Sequence, residues 1–88
     1  SWALELAPFG ITVNSVAPGP VDTELFNTNN PPGSESRIRY IEGVPMKRLG
    51  LPEELAAANC YFLVGQSGFT TGQTLFVDGG YMTGKSAL

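Results

Sequence analysis

Apolar residues along the chain fall into blocks separated by proline, glycine and asparagine, and each block has its own period. Residues 1 to 7, Ser-Trp-Ala-Leu-Glu-Leu-Ala, are strong helix formers closed by Pro8 and Gly10, which predicts the tail of a helix that began earlier. Residues 11 to 17, Ile-Thr-Val-Asn-Ser-Val-Ala, are rich in β-branched side chains and run into Pro18-Gly19-Pro20. This predicts a strand over 11–17 that stops at a turn. Pro52 suits the first turn of a helix, Glu53 and Glu54 lie near its positive end, and the pattern continues to Val64 before Gly65 and Gly68. A helix over 52–64 follows. Residues 73 to 78, Gln-Thr-Leu-Phe-Val-Asp, then predict a buried last strand closed by Gly79-Gly80. Helix end, strand, excursion, helix and strand make a βαβ unit, and such crossovers favour parallel strands.

Between the first strand and the second helix, residues 22–46 shift to Asn, Pro, Gly and Ser. A connection this long inside a compact domain is usually functional or mobile, so it reads as a lid-like insertion. Ser34 could cap a short helix within it, with Ile38 and Ile41 on one face. Leu51 is a poor cap for the helix that follows, because it offers no side-chain acceptor.

Composition narrows the function. Eighty-eight residues suffice for one small domain, and there is no room for a second. Five basic residues against eight acidic give a net charge of −3, and Arg37, Arg39, Lys47, Arg48 and Lys85 are scattered, which argues against a nucleic-acid surface. The single Cys60 cannot form an intrachain disulfide, so a reducing, cytoplasmic setting is expected. Without histidine or a second cysteine, zinc sites, iron–sulfur sites and histidine triads are not expected. No apolar run approaches a membrane span. The chain opens on Ser1 with neither an initiator methionine nor a signal segment, so an upstream portion is expected.

Three motifs in order carry a resemblance. Gly10-Ile-Thr-Val-Asn-Ser-Val-Ala-Pro-Gly-Pro-Val-Asp-Thr23, Arg48-Leu-Gly-Leu-Pro-Glu-Glu-Leu-Ala56 and Thr71-Gly-Gln-Thr-Leu-Phe-Val-Asp-Gly-Gly80 resemble the sixth strand and its exit loop, the lead-in to the penultimate helix, and the last strand of the short-chain dehydrogenase/reductases. The resemblance implies an α/β fold, the C-terminal βαβ part of a Rossmann-type doubly wound parallel sheet. It also implies an NAD or NADP cofactor and interconversion of a secondary alcohol and a ketone. Acyl-carrier-protein reductases, sugar dehydrogenases and polyol dehydrogenases are comparable candidates for the substrate class.

Ligands of open parallel sheets sit outside the carboxyl ends of the strands, where Pro18 and Gly19 stand. The lack of a Cβ at Gly19 would let backbone approach a flat ring. By resemblance, the Val21 main chain would bond the nicotinamide carboxamide, and the Thr23 hydroxyl would reach the carboxamide or a phosphate. Pro18, Gly19, Val21 and Thr23 are therefore the candidate cofactor contacts. The family's catalytic tyrosine, lysine and serine are expected upstream of Ser1, which would leave this segment alone inactive. Tyr81 and Lys85 have the spacing of the family's Tyr-x-x-x-Lys pair, but they follow the closing glycines, and the match reads as coincidence.

Plainer readings stand beside these. Pro18-Gly19-Pro20 could be only a turn, Thr23 a helix cap, and Asn14 a satisfied strand amide. Arg48 and Asp78 could tie loops together. Gly79-Gly80 lacks the strand, spacing and helix of a phosphate loop. Arg37 and Arg39 could meet an anionic substrate or simply be solvated. Between Glu54 and Asp78 no residue is charged, and a helix apolar all round implies cover from elsewhere. A homo-oligomer, tetrameric by resemblance, is expected to use the 52–64 helix and the last strand. The alternative from another class is a non-catalytic assembly or regulatory module that uses the βαβ unit to bind a partner.

Overall fold

The structure, a computed structural model, describes residues 1–86. Helix α1 (Trp2–Leu6) runs into a 3-10 turn over Ala7–Phe9 and ends where Gly10 takes a left-handed φ of 74°. Strand β1 (Ser15–Pro18) leads to α2 (Glu24–Asn29), α3 (Glu35–Glu42) and α4 (Pro52–Leu63). A 3-10 turn at Gly65–Ser67, strand β2 (Thr74–Val77) and α5 (Tyr81–Ser86) complete the order. The strands pair in parallel, with Ser15 opposite Thr74 and Pro18 opposite Val77, and α4 packs across both. Their connection through α2, α3 and α4 is the crossover that parallel pairing requires.

The first strand begins four residues later than the β-branched run over 11–17 suggests, and it includes Pro18. Asn14 explains the late start. Its side-chain amide donates to the Thr70 carbonyl at 2.9 Å and its oxygen accepts the Gln73 N–H at 3.0 Å. The Val13 N–H turns to the Thr71 hydroxyl at 3.0 Å. Side-chain bonds, with one backbone bond from Gly72 N–H to Val13 O at 2.8 Å, therefore hold this stretch to the partner segment before the regular ladder takes over. Proline is tolerated at the strand end because the ladder donors lie on alternate residues. Ser15 N–H bonds Gln73 O and Gly19 N–H bonds Val77 O, so the nitrogen of Pro18 faces away from β2.

Two close approaches lock the carboxyl ends of the strands. A Cβ at Gly79 would lie 2.7 Å from Val44 Cγ1, and Val44 is 2% exposed, so the turn after β2 must be bare there. A Cβ at Gly19 would fall 2.8 Å from Asp78 Cβ and 2.9 Å from its Cα. The packing thus gives Gly19 a reason other than the approach of a flat ring. Neighbouring backbone already fills the space.

The chain keeps little of its apolar surface dry. Among the described residues only Val44 and Leu49 are buried hydrophobics, while Trp2, Leu4, Phe9, Leu25, Leu63 and Phe69 are each more than 70% exposed. The accessible surface is 6226 Å², against about 5,000 Å² for a compact monomer of this mass. No helix among the described residues is long and apolar enough to cross a membrane.

Candidate functional site

The chain leaving β1 is fixed by a short parallel bridge between Val21 and Gly50. Gly50 N–H donates to Pro20 O at 2.9 Å, and Asp22 N–H donates to Gly50 O at 2.8 Å. In a parallel bridge of this pattern, the residues flanking Val21 make the bonds, and Val21's own N–H and C=O point to the opposite side. Its carbonyl there accepts the Thr23 N–H at 2.8 Å. Thr23 then caps α2: its backbone is extended, with φ −120° and ψ 162°, and its hydroxyl oxygen accepts the Phe26 N–H at 3.2 Å. A hydroxyl that accepts one bond still has its proton to donate. Capping and ligand contact are therefore compatible at Thr23.

These residues edge one cavity of about 740 Å³ at the carboxyl end of β1, within the usual range for small-molecule sites. Pro18, Gly19, Val21 and Thr23 all line it, as do Leu25, Phe26, Tyr40, Leu55 and Tyr81. Apart from Tyr81, marked only by its spacing from Lys85, the second group had no separate signal in the sequence. It comes from four different elements and meets only through the fold. Phe26 and Tyr40 form an edge-to-face pair with centroids 5.4 Å apart, which fastens α2 to α3.

Arg37 strengthens that joint. Its Nη1 donates to Asn27 Oδ1 at 2.6 Å and to Asn30 O at 3.1 Å, with the guanidinium 5.9 Å from the Phe26 ring centre. Ser34 caps α3 by accepting the Arg37 N–H at 3.3 Å. Arg39 does not line the large cavity and instead edges a smaller one with Ser36 and Gly43.

The loops of Arg48 and Asp78 are tied, but not to each other. Arg48 forms two parallel bonds to Glu54, each 2.9 Å, and Glu54 Oε1 also accepts the Leu51 N–H at 2.8 Å. The Glu54 carboxylate thus supplies the half of a capping box that reaches back to the Leu51 N–H, while the half a Ser or Thr at position 51 would add is absent. The Arg48 guanidinium, together with the Leu51 N–H, holds the Glu54 carboxyl at a pKa of about 2, below its ordinary 4.5. Asp78 accepts from Gly80 N–H and Met82 N–H, both at 3.0 Å, and so secures the start of α5. Tyr81 and Lys85 both lie in α5.

A nicotinamide cofactor fits the donors at this edge. Val21 has main-chain groups turned away from its bridge partner, Thr23 has a hydroxyl proton to give, and both stand at a cavity outside a strand's carboxyl end. Comparison with known proteins agrees. A family model described as enoyl-(acyl carrier protein) reductase matches residues 1–82. Glucose 1-dehydrogenase 2 of Bacillus subtilis is 44% identical over 78 residues, covering 89% of this chain and 30% of the relative. The 3-oxoacyl-(acyl-carrier-protein) reductase FabG of Buchnera aphidicola is 41% identical over 80 residues, 91% of this chain and 31% of the relative.

Among solved structures, a 3-oxoacyl-(acyl-carrier protein) reductase from Brucella melitensis superposes with a TM-score of 0.83 at 39% identity, covering 92% of this chain and 30% of that one. A structure from Agrobacterium tumefaciens with bound NADP gives 0.86 at 29% identity, covering 93% and 33%. The chain spans about a third of the length of the proteins it matches. With a parallel Rossmann-type strand pair, a cavity at its carboxyl end and a family match over nearly all its residues, this chain belongs to the short-chain dehydrogenase/reductases, oxidoreductases that use NAD or NADP.

Proposed function

We infer that residues 18–23 form the nicotinamide side of an active site that interconverts a secondary alcohol and a ketone. The observation that supports this reading is the Val21–Gly50 bridge beside Thr23: the Val21 main-chain groups face away from Gly50, and Val21 and Thr23 both line one cavity at the end of β1. When bound, the nicotinamide supplies the hydride donor or acceptor. Val21 would hold its carboxamide through the main chain, and Thr23 would orient it by donating its hydroxyl proton. Pro18 and Gly19 would shape the floor of the site. Leu25, Phe26 and Tyr40 form a wall that excludes water from the reacting carbon, which strengthens the electrostatic interactions inside. The proton-transferring tyrosine, its lysine and the orienting serine come from the part of the relatives that this chain does not span. The segment by itself is then inactive. The small-molecule substrate enters under α2 and α3, and a cytoplasmic location suits the free Cys60.

The test is a fluorescence titration of NADH and NADPH into the complete protein, for wild type, Thr23→Ser and Thr23→Val. Serine keeps both the cap and the donor, so it should bind as wild type does. Valine loses both. Its cofactor affinity should fall about two- to twelvefold for one lost hydrogen bond, and α2 should lose about 0.5–2 kcal/mol of capping stability. The change is therefore not neutral for the fold. An affinity that is equal in all three proteins would remove Thr23 from the site.

A further inference from the structure

The run Asn27-Thr-Asn-Asn30 would suggest a polar cavity suited to a hydroxyl-rich substrate. The structure spends most of that polarity inside the polypeptide. The Asn27 amide donates to Asp22 Oδ1 at 2.8 Å, while its oxygen receives Arg37. Thr28 Oγ1 donates to Glu24 O at 2.9 Å, and Asn30 Nδ2 donates to Phe26 O at 3.2 Å. Of these four polar side chains, three are thus bonded within the α2–α3 unit and its approach, and only Asn29 presents an amide to the cavity without an internal bond. No charged side chain among the described residues lines the cavity. Arg37 is instead held against Asn27, Asn30 and the Phe26 ring.

What these bonds leave on the cavity side is mainly carbon, Leu25 and Phe26 from α2, the Tyr40 ring from α3 and Leu55 from α4, with Thr23, Asn29, Asn30 and Tyr81 as the other polar residues of the lining. We propose that this wall selects a substrate whose non-reacting part is uncharged and apolar, an alkyl chain or a carbocycle beside the carbonyl, and discriminates against sugars and polyols. A sugar placed here would leave most of its hydroxyls facing carbon, losing the hydrogen bonds they make in water. An alkyl or ring substituent would instead bury its surface against Leu25 and Phe26. Two sources share this chemistry, a β-oxoacyl thioester and a free cyclic ketone. The inference rests on the cavity being the active site, as proposed above.

The experiment measures NADPH- or NADH-dependent reduction by the complete protein of three probes: acetoacetyl N-acetylcysteamine thioester, trans-1-decalone and L-sorbose. Cofactor binding is titrated separately in the same samples. The expected result is a kcat/KM for at least one apolar probe about a hundredfold or more above that for sorbose, the thioester and the decalone separating the two sources. Phe26→Asn should cut the preferred apolar probe's kcat/KM about tenfold or more, the scale of a lost apolar contact in a specificity pocket, at unchanged cofactor affinity. Phe26 also joins α2 to α3, so Leu25→Asn, at a side chain 72% exposed, serves as a second variant whose folding is not in question. Leu25→Asn should lower the same ratio in the same direction. Bound cofactor with sorbose as the preferred probe, or both variants unchanged on the apolar probes, overturns the proposal and leaves the nicotinamide reading standing. Absent cofactor binding overturns both.

Discussion

Glu54 shows how one carboxylate serves a helix start whose first residue cannot cap. Leu51 has no side-chain acceptor for the N–H groups ahead of it, but its own orphan N–H is met by Glu54 three residues on, and Arg48 holds that acceptor in place with two bonds. The folded carboxyl titrates at about 2 instead of 4.5. A depressed folded pKa contributes stability that is present above the ordinary value and lost as pH falls through the folded one. The Glu54 contribution should therefore be whole above pH 4.5 and disappear between 4.5 and about 2. Both partners are exposed, so its size is small and screened by salt. Arg48→Met should raise the Glu54 pKa toward 4.5, read from its side-chain carboxyl carbon in an NMR pH titration. An unmoved midpoint would show that the Leu51 N–H alone sets it. The sequence revealed Arg48 and Glu54 as charges near a helix start, but their pairing depends on the path of the chain past Gly50, which its bridge to Val21 fixes and no local pattern specifies.

At the scale of elements, legibility followed the locality of the cause. Ser34 and the apolar pair Ile38 and Ile41 announce α3, because a cap and a face are both written within eight residues. The parallel pair and α4 are legible for the same reason. Helix α2 is not, because Asn27, Thr28, Asn29 and Asn30 are poor helix formers, and what holds them is the Thr23 cap below and Arg37 from the next helix. For the lid expected over residues 22–46 we propose a shorter moving part. Its last residues are anchored: Val44 is the most buried side chain described, and Met46 N–H donates to Gly79 O at 3.1 Å. Helix α2, by contrast, buries no residue. Motion on ligand binding should therefore be confined to about residues 24–42 and absent from 44–46. Hydrogen exchange of the complete protein should show amides of α2 and α3 slowing when cofactor and substrate bind, with Met46 slow in both states. Equal protection of α2 with and without ligand would rule out closure.

For the whole molecule, the surface that stays wet is the main fact to explain. Helix α4 turns Leu55, Ala58 and Phe62 partly inward, while Ala56, Ala57, Cys60, Tyr61 and Leu63 face out, and β2 leaves Leu75 and Phe76 41% and 51% exposed. A helix seated on one sheet and otherwise solvated carries charge on its outer face, but α4 has none after Glu54. Part of this surface can be covered by the two-thirds of the relatives' length that the chain does not span, since open α/β sheets carry helices on both faces. The outward face of α4 is different. It belongs to a layer already outside the sheet, and its small Ala56 and Ala57 let a second helix approach closely while Tyr61 supplies area. We therefore expect α4 and β2 to pack against a second copy, giving a homo-oligomer, with a tetramer the form the family resemblance implies. Ala57→Arg places a charge in the middle of that face without touching the strands, and Tyr61→Arg does so one turn on. Light scattering of the complete protein should find wild type as a multimer at micromolar concentration and each variant at lower mass, with unchanged circular dichroism. A monomeric wild type, or variants that assemble as before, would assign the face to cover from within the same chain.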